Sequence, residues 1–167
     1  MLVVFGASGD LAFKKIFPSL HAMAKRGTLD VPVIGVGRES LDKAWLVERA
    51  RESIAKHGGG VDEGAYAVLA ERLVFVGGDY VGGQLFGDIR KALGAARRPL
   101  YYLAIPPSAF PSVIDGLGRS GCAEGARIVV EKPFGRDLAS ARQLNQTLHA
   151  LFSEESIFRV DHFLGKE

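Results

Sequence analysis

The sequence predicts an open, mainly parallel, twisted α/β sheet of about six strands with helices on both faces. Three observations lead there. Short apolar, β-branched runs recur along the chain, and segments with helical spacing lie between them. The runs are nearly continuous in hydrophobicity rather than alternating, as strands buried on both faces require. Strand–helix alternation of this kind builds a parallel sheet through crossover connections.

In chain order the runs are LVVF (2–5), VPVIGV (31–36), RLVFV (72–76), LYYLAI (100–105), RIVVE (127–131) and SIFRV (156–160). Ile16, Leu20, Met23 and Ala24 share a helical face after the first run. Pro18 falls inside that pattern and must kink it or mark a restart. Trp45, Leu46, Arg49 and Ile54 share a looser face, with the arginine stem along its boundary. Gly58–Gly60 with Val61–Glu63 is expected to form a mobile loop. Leu138, Ala141, Leu144, Leu148 and Leu151 make a stripe over 137–152. No interdomain linker, internal repeat or low-complexity segment interrupts the chain, so residues 1–167 read as one domain.

Composition narrows the function classes. The 167 residues carry 21 basic and 19 acidic side chains, a formal net charge of +2. No global field favours nucleic acid or a membrane surface, so any bound anion must be held by a local cluster. No apolar run approaches the ~20 residues of a spanning helix. The N-terminus lacks the basic region of a signal peptide. The single cysteine, Cys122, cannot form an internal disulfide and suits a reducing cytosol. With no histidine beside it, it reads as a structural thiol. No metal is called for.

The first strand ends in Gly6-Ala7-Ser8-Gly9-Asp10-Leu11-Ala12, a G-x-x-G-x-x-A spacing between strand and helix. Gly6 allows the tight turn, Gly9 lets backbone approach a pyrophosphate, and Ala12 lets the helix pack close to the sheet. The helix start supplies free amides and the positive end of a dipole. Ser8 adds a hydroxyl donor. An ordinary βα turn is the competing reading, and the place after the first strand of an alternating chain favours the dinucleotide.

Arg38 stands at the end of the second strand, where a guanidinium accommodates the 2′-phosphate of NADP and an acid accepts from the ribose of NAD. Glu39 follows directly and keeps NAD as the second choice. Tyr102-Leu103-Ala104-Ile105-Pro106-Pro107 ends the fourth strand, and the loop at Pro106 should border the nicotinamide. Glu131-Lys132-Pro133 ends the fifth. Lys132 cannot be core after RIVV; it should project from the carboxyl edge of the sheet, where ligands bind in this architecture. The Lys132–Pro133 bond is a candidate cis peptide.

Together these blocks resemble the glucose-6-phosphate dehydrogenases. The residues that carry the resemblance are GASGDLAFKKIFPSL (6–20), GVGR (35–38), YLAIPP (102–107), EKPFGRDLASA (131–141) and RVDHFLGKE (159–167). The resemblance implies a Rossmann-like NADP-binding domain. The parent enzyme would oxidise glucose 6-phosphate to 6-phosphogluconolactone with hydride transfer to NADP+, in the oxidative pentose phosphate pathway. The loop from Gly6 to Phe13 would hold the pyrophosphate, Arg38 the 2′-phosphate, and Tyr102 would lie near the cofactor. Lys15 would point toward the substrate. Lys132 would touch both cofactor and sugar. His162 and Lys166 would clamp the sugar phosphate, with Phe163 beside them, and Asp161 would orient the catalytic histidine and stabilise its imidazolium.

Two departures stand out. Phe163 replaces the family's usual tyrosine, removing one hydroxyl donor worth about 0.5–1.5 kcal/mol; weaker substrate binding is expected, not loss of function. The family's catalytic base lies downstream in a second α+β domain, and none of His21, His57, His149 and His162 has its context. His57 reads as part of the Gly-rich loop. The chain is therefore expected to be a cofactor domain without its substrate and dimerisation domain, inactive alone. The complete enzyme would be cytoplasmic and a dimer or tetramer. A non-catalytic NADP-binding or regulatory module, or the nucleotide domain of another sugar oxidoreductase, is the alternative.

Overall fold

In a computed structural model, residues 1–38 and 40–161 are described. Six strands form one sheet: β1 (Leu2–Phe5), β2 (Val33–Gly37), β3 (Leu73–Gly77), β4 (Leu100–Leu103), β5 (Arg127–Glu131) and β6 (Ile157–Val160). Their order is β3-β2-β1-β4-β5-β6, and every described pairing is parallel. All six fall within a residue or two of the apolar runs. Chain order reverses between β1 and β4, and the carboxyl ends of those strands open the crevice in which such sheets bind ligands.

Successive side chains on each strand face opposite sides. On one side Val3, Phe5, Ile34, Val36, Tyr101, Leu103, Ile128 and Val130 pack with α4 (Gly83–Leu93), α5 (Phe110–Arg119) and the end of α6 (Leu138–His149). On the other, Val4, Val33 and Leu73 pack with α1 (Phe17–Lys25), α2 (Lys43–His57) and α3 (Glu63–Arg72). This second face continues across Tyr102 and Val129 to Phe158, which is paired in register with Val129 and is 45% exposed.

Pro18 marks a restart. A π turn over Ala12–Ile16 precedes α1, the Phe17 N–H reaches back to the Ala12 carbonyl, and Pro18 sits in the first turn of α1. A missing N–H costs nothing there.

Three expectations need correction. The loop after α2 is shorter than the glycines suggest, because the Asp62 carboxylate accepts from the Ala65 N–H at 3.0 Å and starts α3 at Glu63. His57 belongs to the last turn of α2 rather than to that loop. The stripe of apolar residues over 137–152, whose spacing suits a core-facing helix side, is covered only in part. Leu148 is buried, but Leu138 is 67% exposed, and Leu151, past the helix end, folds over Gly118 of α5. Only the C-terminal part of α6 is covered. An Asp137–Ser140 capping box, not burial, fixes its start.

The fully buried Tyr101 donates from Oη to the Cys122 carbonyl at 2.7 Å. Burial pushes its hydroxyl far above the ordinary tyrosine range. Cys122 is itself buried, in keeping with a structural thiol. Tyr101→Phe leaves that carbonyl unpaired in the core. It should lower stability by about 1–3 kcal/mol, read as an earlier urea midpoint with an unchanged slope.

Candidate functional site

The carboxyl ends of the strands bring the site together. At the end of β1, Gly6 takes φ +83°, and a Cβ there would stand 2.3 Å from the Ala104 carbonyl oxygen. The tight turn therefore needs glycine on both counts. The Gly6 and Ala7 N–H groups donate to the Val36 carbonyl at 3.1 and 3.0 Å, and the Gly9 N–H donates to the Gly6 carbonyl at 2.9 Å. At Gly9 a Cβ would lie 3.2 Å from that same carbonyl, so this glycine keeps the turn closed. Ala7 and Ala12 are fully buried against the sheet. Asp10 is exposed, and its carboxylate pairs with Lys14 at 2.9 Å, which holds it below the usual carboxylate range. Lys15 is exposed on the π turn.

Beside the loop, Ser8, Gly37, Arg38, Gly78, Asp79 and Tyr80 line a cavity of about 380 Å³. Arg38 follows directly on β2, and its carbonyl accepts from the Leu41 N–H at 3.1 Å. Glu39, the competing ribose acceptor, lies outside the described residues. Asp79 and Tyr80 come from the end of β3, and the Tyr80 ring meets the Phe5 ring edge-on at 5.9 Å. Burial raises the Tyr80 hydroxyl above its ordinary range, so it stays a donor. The cavity thus offers one fixed cation, one carboxylate and a serine from the loop. That set suits an anion attached to a polyol.

Across the switch point a second group forms. Tyr102 Oη donates to the Glu131 carboxylate across the β4–β5 pairing. Burial, and then that carboxylate, lift the phenol above its ordinary range, so it keeps its proton. Lys132 follows β5 through a cis peptide to Pro133. Its Nζ meets the Asp161 carboxylate at 2.5 Å, with the lysine side chain 58% exposed. Pro106 lines a larger cavity, of about 700 Å³, together with Pro133, Gly135, Ser140 and Leu144.

The structure therefore gathers Gly6 to Phe13 with Arg38 on one side of the switch point, and Tyr102, Glu131, Lys132 and Asp161 on the other. His162, Phe163 and Lys166 lie outside the described residues. Asp79 and Tyr80 escaped the sequence reading. The signal was there: GGDY closes the third strand at the same carboxyl edge. Arg49 of α2 was read as a boundary stem, yet its Nη2 donates to the Ser8 carbonyl at 3.0 Å. No motif announces a contact between residues 41 apart. Among the described residues no cluster of His, Cys, Asp or Glu could hold a metal ion. No helix among them is long and apolar enough to cross a membrane.

Comparison with known proteins agrees with this geometry. Residues 3–167 match the family model for the glucose-6-phosphate dehydrogenase NAD binding domain. The chain is 43% identical over 167 residues to glucose-6-phosphate 1-dehydrogenase 1 of Mycobacterium tuberculosis, covering all of this chain and 36% of that protein. A crystal structure of glucose-6-phosphate 1-dehydrogenase from Mycobacterium avium superimposes with a TM-score of 0.94 at 43% identity, over 98% of this chain and 36% of that one. A glucose-6-phosphate dehydrogenase in complex with glucose 6-phosphate gives 0.87 at 35% identity, over 99% and 37%. The chain spans little more than a third of the relatives it matches.

Proposed function

This chain belongs to the family of the glucose-6-phosphate dehydrogenase NAD-binding domain, and from that premise we propose that it is the cofactor-binding part of an NADP-dependent glucose-6-phosphate 1-dehydrogenase. The complete enzyme oxidises glucose 6-phosphate to 6-phosphogluconolactone and passes hydride to NADP+. The observation that carries this reading is the division of one sheet edge. A phosphate-binding turn and Arg38 stand on one side of the switch point, and Lys132, held by Asp161, stands on the other.

The residues divide the work as follows. Amides of the turn and the helix start receive the pyrophosphate. Arg38 receives the 2′-phosphate, which selects NADP over NAD. Lys132 contacts cofactor and sugar, and the carboxylate of Asp161 fixes its ammonium. The nicotinamide supplies the hydride acceptor. Lactone formation also needs a base for the C1 hydroxyl proton; that base, and most of the sugar site, belong to the part of the relatives beyond this chain. His162 and Lys166 complete the sugar-phosphate clamp, and Phe163 keeps the ring of that site without its hydroxyl. The half-exposed Phe158 on the second sheet face offers the remaining part of the enzyme a place to pack. A dimer or tetramer built through that part, in the cytoplasm, completes the reading.

Thermal shift tests the cofactor assignment. NADP+ should protect more than NAD+. Arg38→Ala should weaken NADP+ by about 10–100-fold, the worth of a charge-assisted hydrogen bond, and leave NAD+ unchanged. Equal protection by both dinucleotides in the wild type removes the role given to Arg38. Glucose 6-phosphate-dependent formation of NADPH by the complete enzyme tests the reaction itself.

A further inference from the structure

Helix α2 grips the phosphate turn through one face. Trp45, Arg49, Ser53 and Lys56 recur at helical spacing. The Arg49 guanidinium carbon lies 4.6 Å from the centre of the Phe13 ring and 5.3 Å from that of Trp45. Its Nη2 donates to the Ser8 carbonyl at 3.0 Å. One turn on, Ser53 Oγ donates to the Phe13 carbonyl. Lys56 Nζ and the His57 ring approach the same Phe13 ring at 5.7 and 5.5 Å. Ser8 and Phe13 bracket the residues whose amides would face a pyrophosphate.

The Ser8–Gly9 peptide is held at both ends. Its carbonyl accepts from Arg49, and its N–H donates to the Gly6 carbonyl. A carbonyl left free could turn toward a bound phosphate and repel it; the guanidinium draws it away. Packing alone does not account for the residue. Arg49 Nε is buried without a hydrogen-bond partner, a cost that an apolar side chain in the same place would not carry.

We infer that Arg49 is a positioning residue of the phosphate turn: it fixes the Ser8–Gly9 peptide and sets a permanent cation behind it. It thereby supports the pyrophosphate common to NAD and NADP rather than the 2′-phosphate assigned to Arg38. A guanidinium suits the task because it stays charged at every physiological pH and stacks flat on aromatic rings. The inference rests on the dinucleotide reading for its ligand, and on the hydrogen bonds of the turn for its geometry.

The test uses Arg49→Met, which keeps an unbranched stem against Phe13 and Trp45 but loses charge and hydrogen bond, and Arg49→Lys, which keeps the charge. Two quantities are read: hydrogen exchange of the Gly9 amide without nucleotide, and dissociation constants for NADP+ and NAD+ by calorimetry. Arg49→Met should speed Gly9 exchange several-fold and raise both dissociation constants by the same factor, about tenfold. Arg49→Lys should recover part of the affinity without restoring slow exchange, and it carries the test if the methionine variant does not fold. Unchanged affinities overturn the inference, whatever the exchange shows. A loss confined to NADP+ overturns it too, since Arg49 would then be a 2′-phosphate ligand. If the wild type binds neither dinucleotide, the proposed cofactor falls, and Gly9 exchange alone decides whether Arg49 fixes the turn.

Discussion

Lys132→Ala in the complete enzyme is expected to lower kcat/KM for glucose 6-phosphate by at least ~100-fold. Two losses combine. The variant removes a cation that the proposed site sets against both substrate and cofactor, and removing one preorganised donor aimed at developing charge costs about 2.7–4 kcal/mol. It also strips the Asp161 carboxylate of the ammonium 2.5 Å away. That carboxylate is mostly covered, with 22% of its side chain exposed, so losing this ammonium costs more than at an open surface. Both kcat and KM should change, because the contacts proposed to sugar and to nicotinamide are lost together. Lys132→Arg keeps the charge but not the compact ammonium, and should recover only part of the rate. Steady-state kinetics with each substrate varied in turn decides the matter. Turnover near wild type would refute the assignment of Lys132.

The inner strands were legible because both of their faces are covered, and the edge strands β3 and β6 because exposed positions on them, Val74 and Phe158, are still apolar. All five residues of β2 are buried, so the run carries no polar interruption. The helices α3, α4 and α5 were not. α5 contains Gly116 and Gly118, a composition that argues against a helix on propensity alone, though Pro111 in its first turn does not. Packing wins there: a Cβ on Gly116 would stand 2.1 Å from the Phe86 ring, so the glycine lets α4 and α5 approach. The stripe on α6 misled for the opposite reason. Apolar spacing shows that a face exists and says nothing about what lies against it. At the site, whatever a short motif carries could be read, as with the turn at Gly6 and the strand-end Lys132. The partners of those residues come from remote elements. The Tyr102–Glu131 bond depends on strand register and the Arg49–Ser8 bond on where α2 crosses the turn.

Gly6→Ala should abolish dinucleotide binding and destabilise the fold by about 2–4 kcal/mol. One part of the cost is conformational. At φ +83° a side chain adds roughly 1–2 kcal/mol. The second part is steric. The new Cβ would meet the Ala104 carbonyl oxygen at 2.3 Å and Ile105 Cγ2 at 2.8 Å. Neither side of the clash yields easily. The Ala104 N–H is tied to the Phe5 carbonyl at 3.0 Å, and the Gly6 N–H to the Val36 carbonyl at 3.1 Å. Relief would have to come from opening the turn, which takes Ser8 and the helix start out of line with a pyrophosphate. Gly27→Ala separates the two parts. Gly27 follows α1 at φ +68° with nothing within 4 Å of its would-be Cβ. It carries the conformational cost alone and lies away from the site. Urea unfolding should therefore show a modest loss for Gly27→Ala with dinucleotide binding kept, and a larger loss for Gly6→Ala with binding gone. Equal destabilisation by the two would mean that the turn can shift away from Ala104. Binding retained in Gly6→Ala would mean that the turn is not the pyrophosphate site.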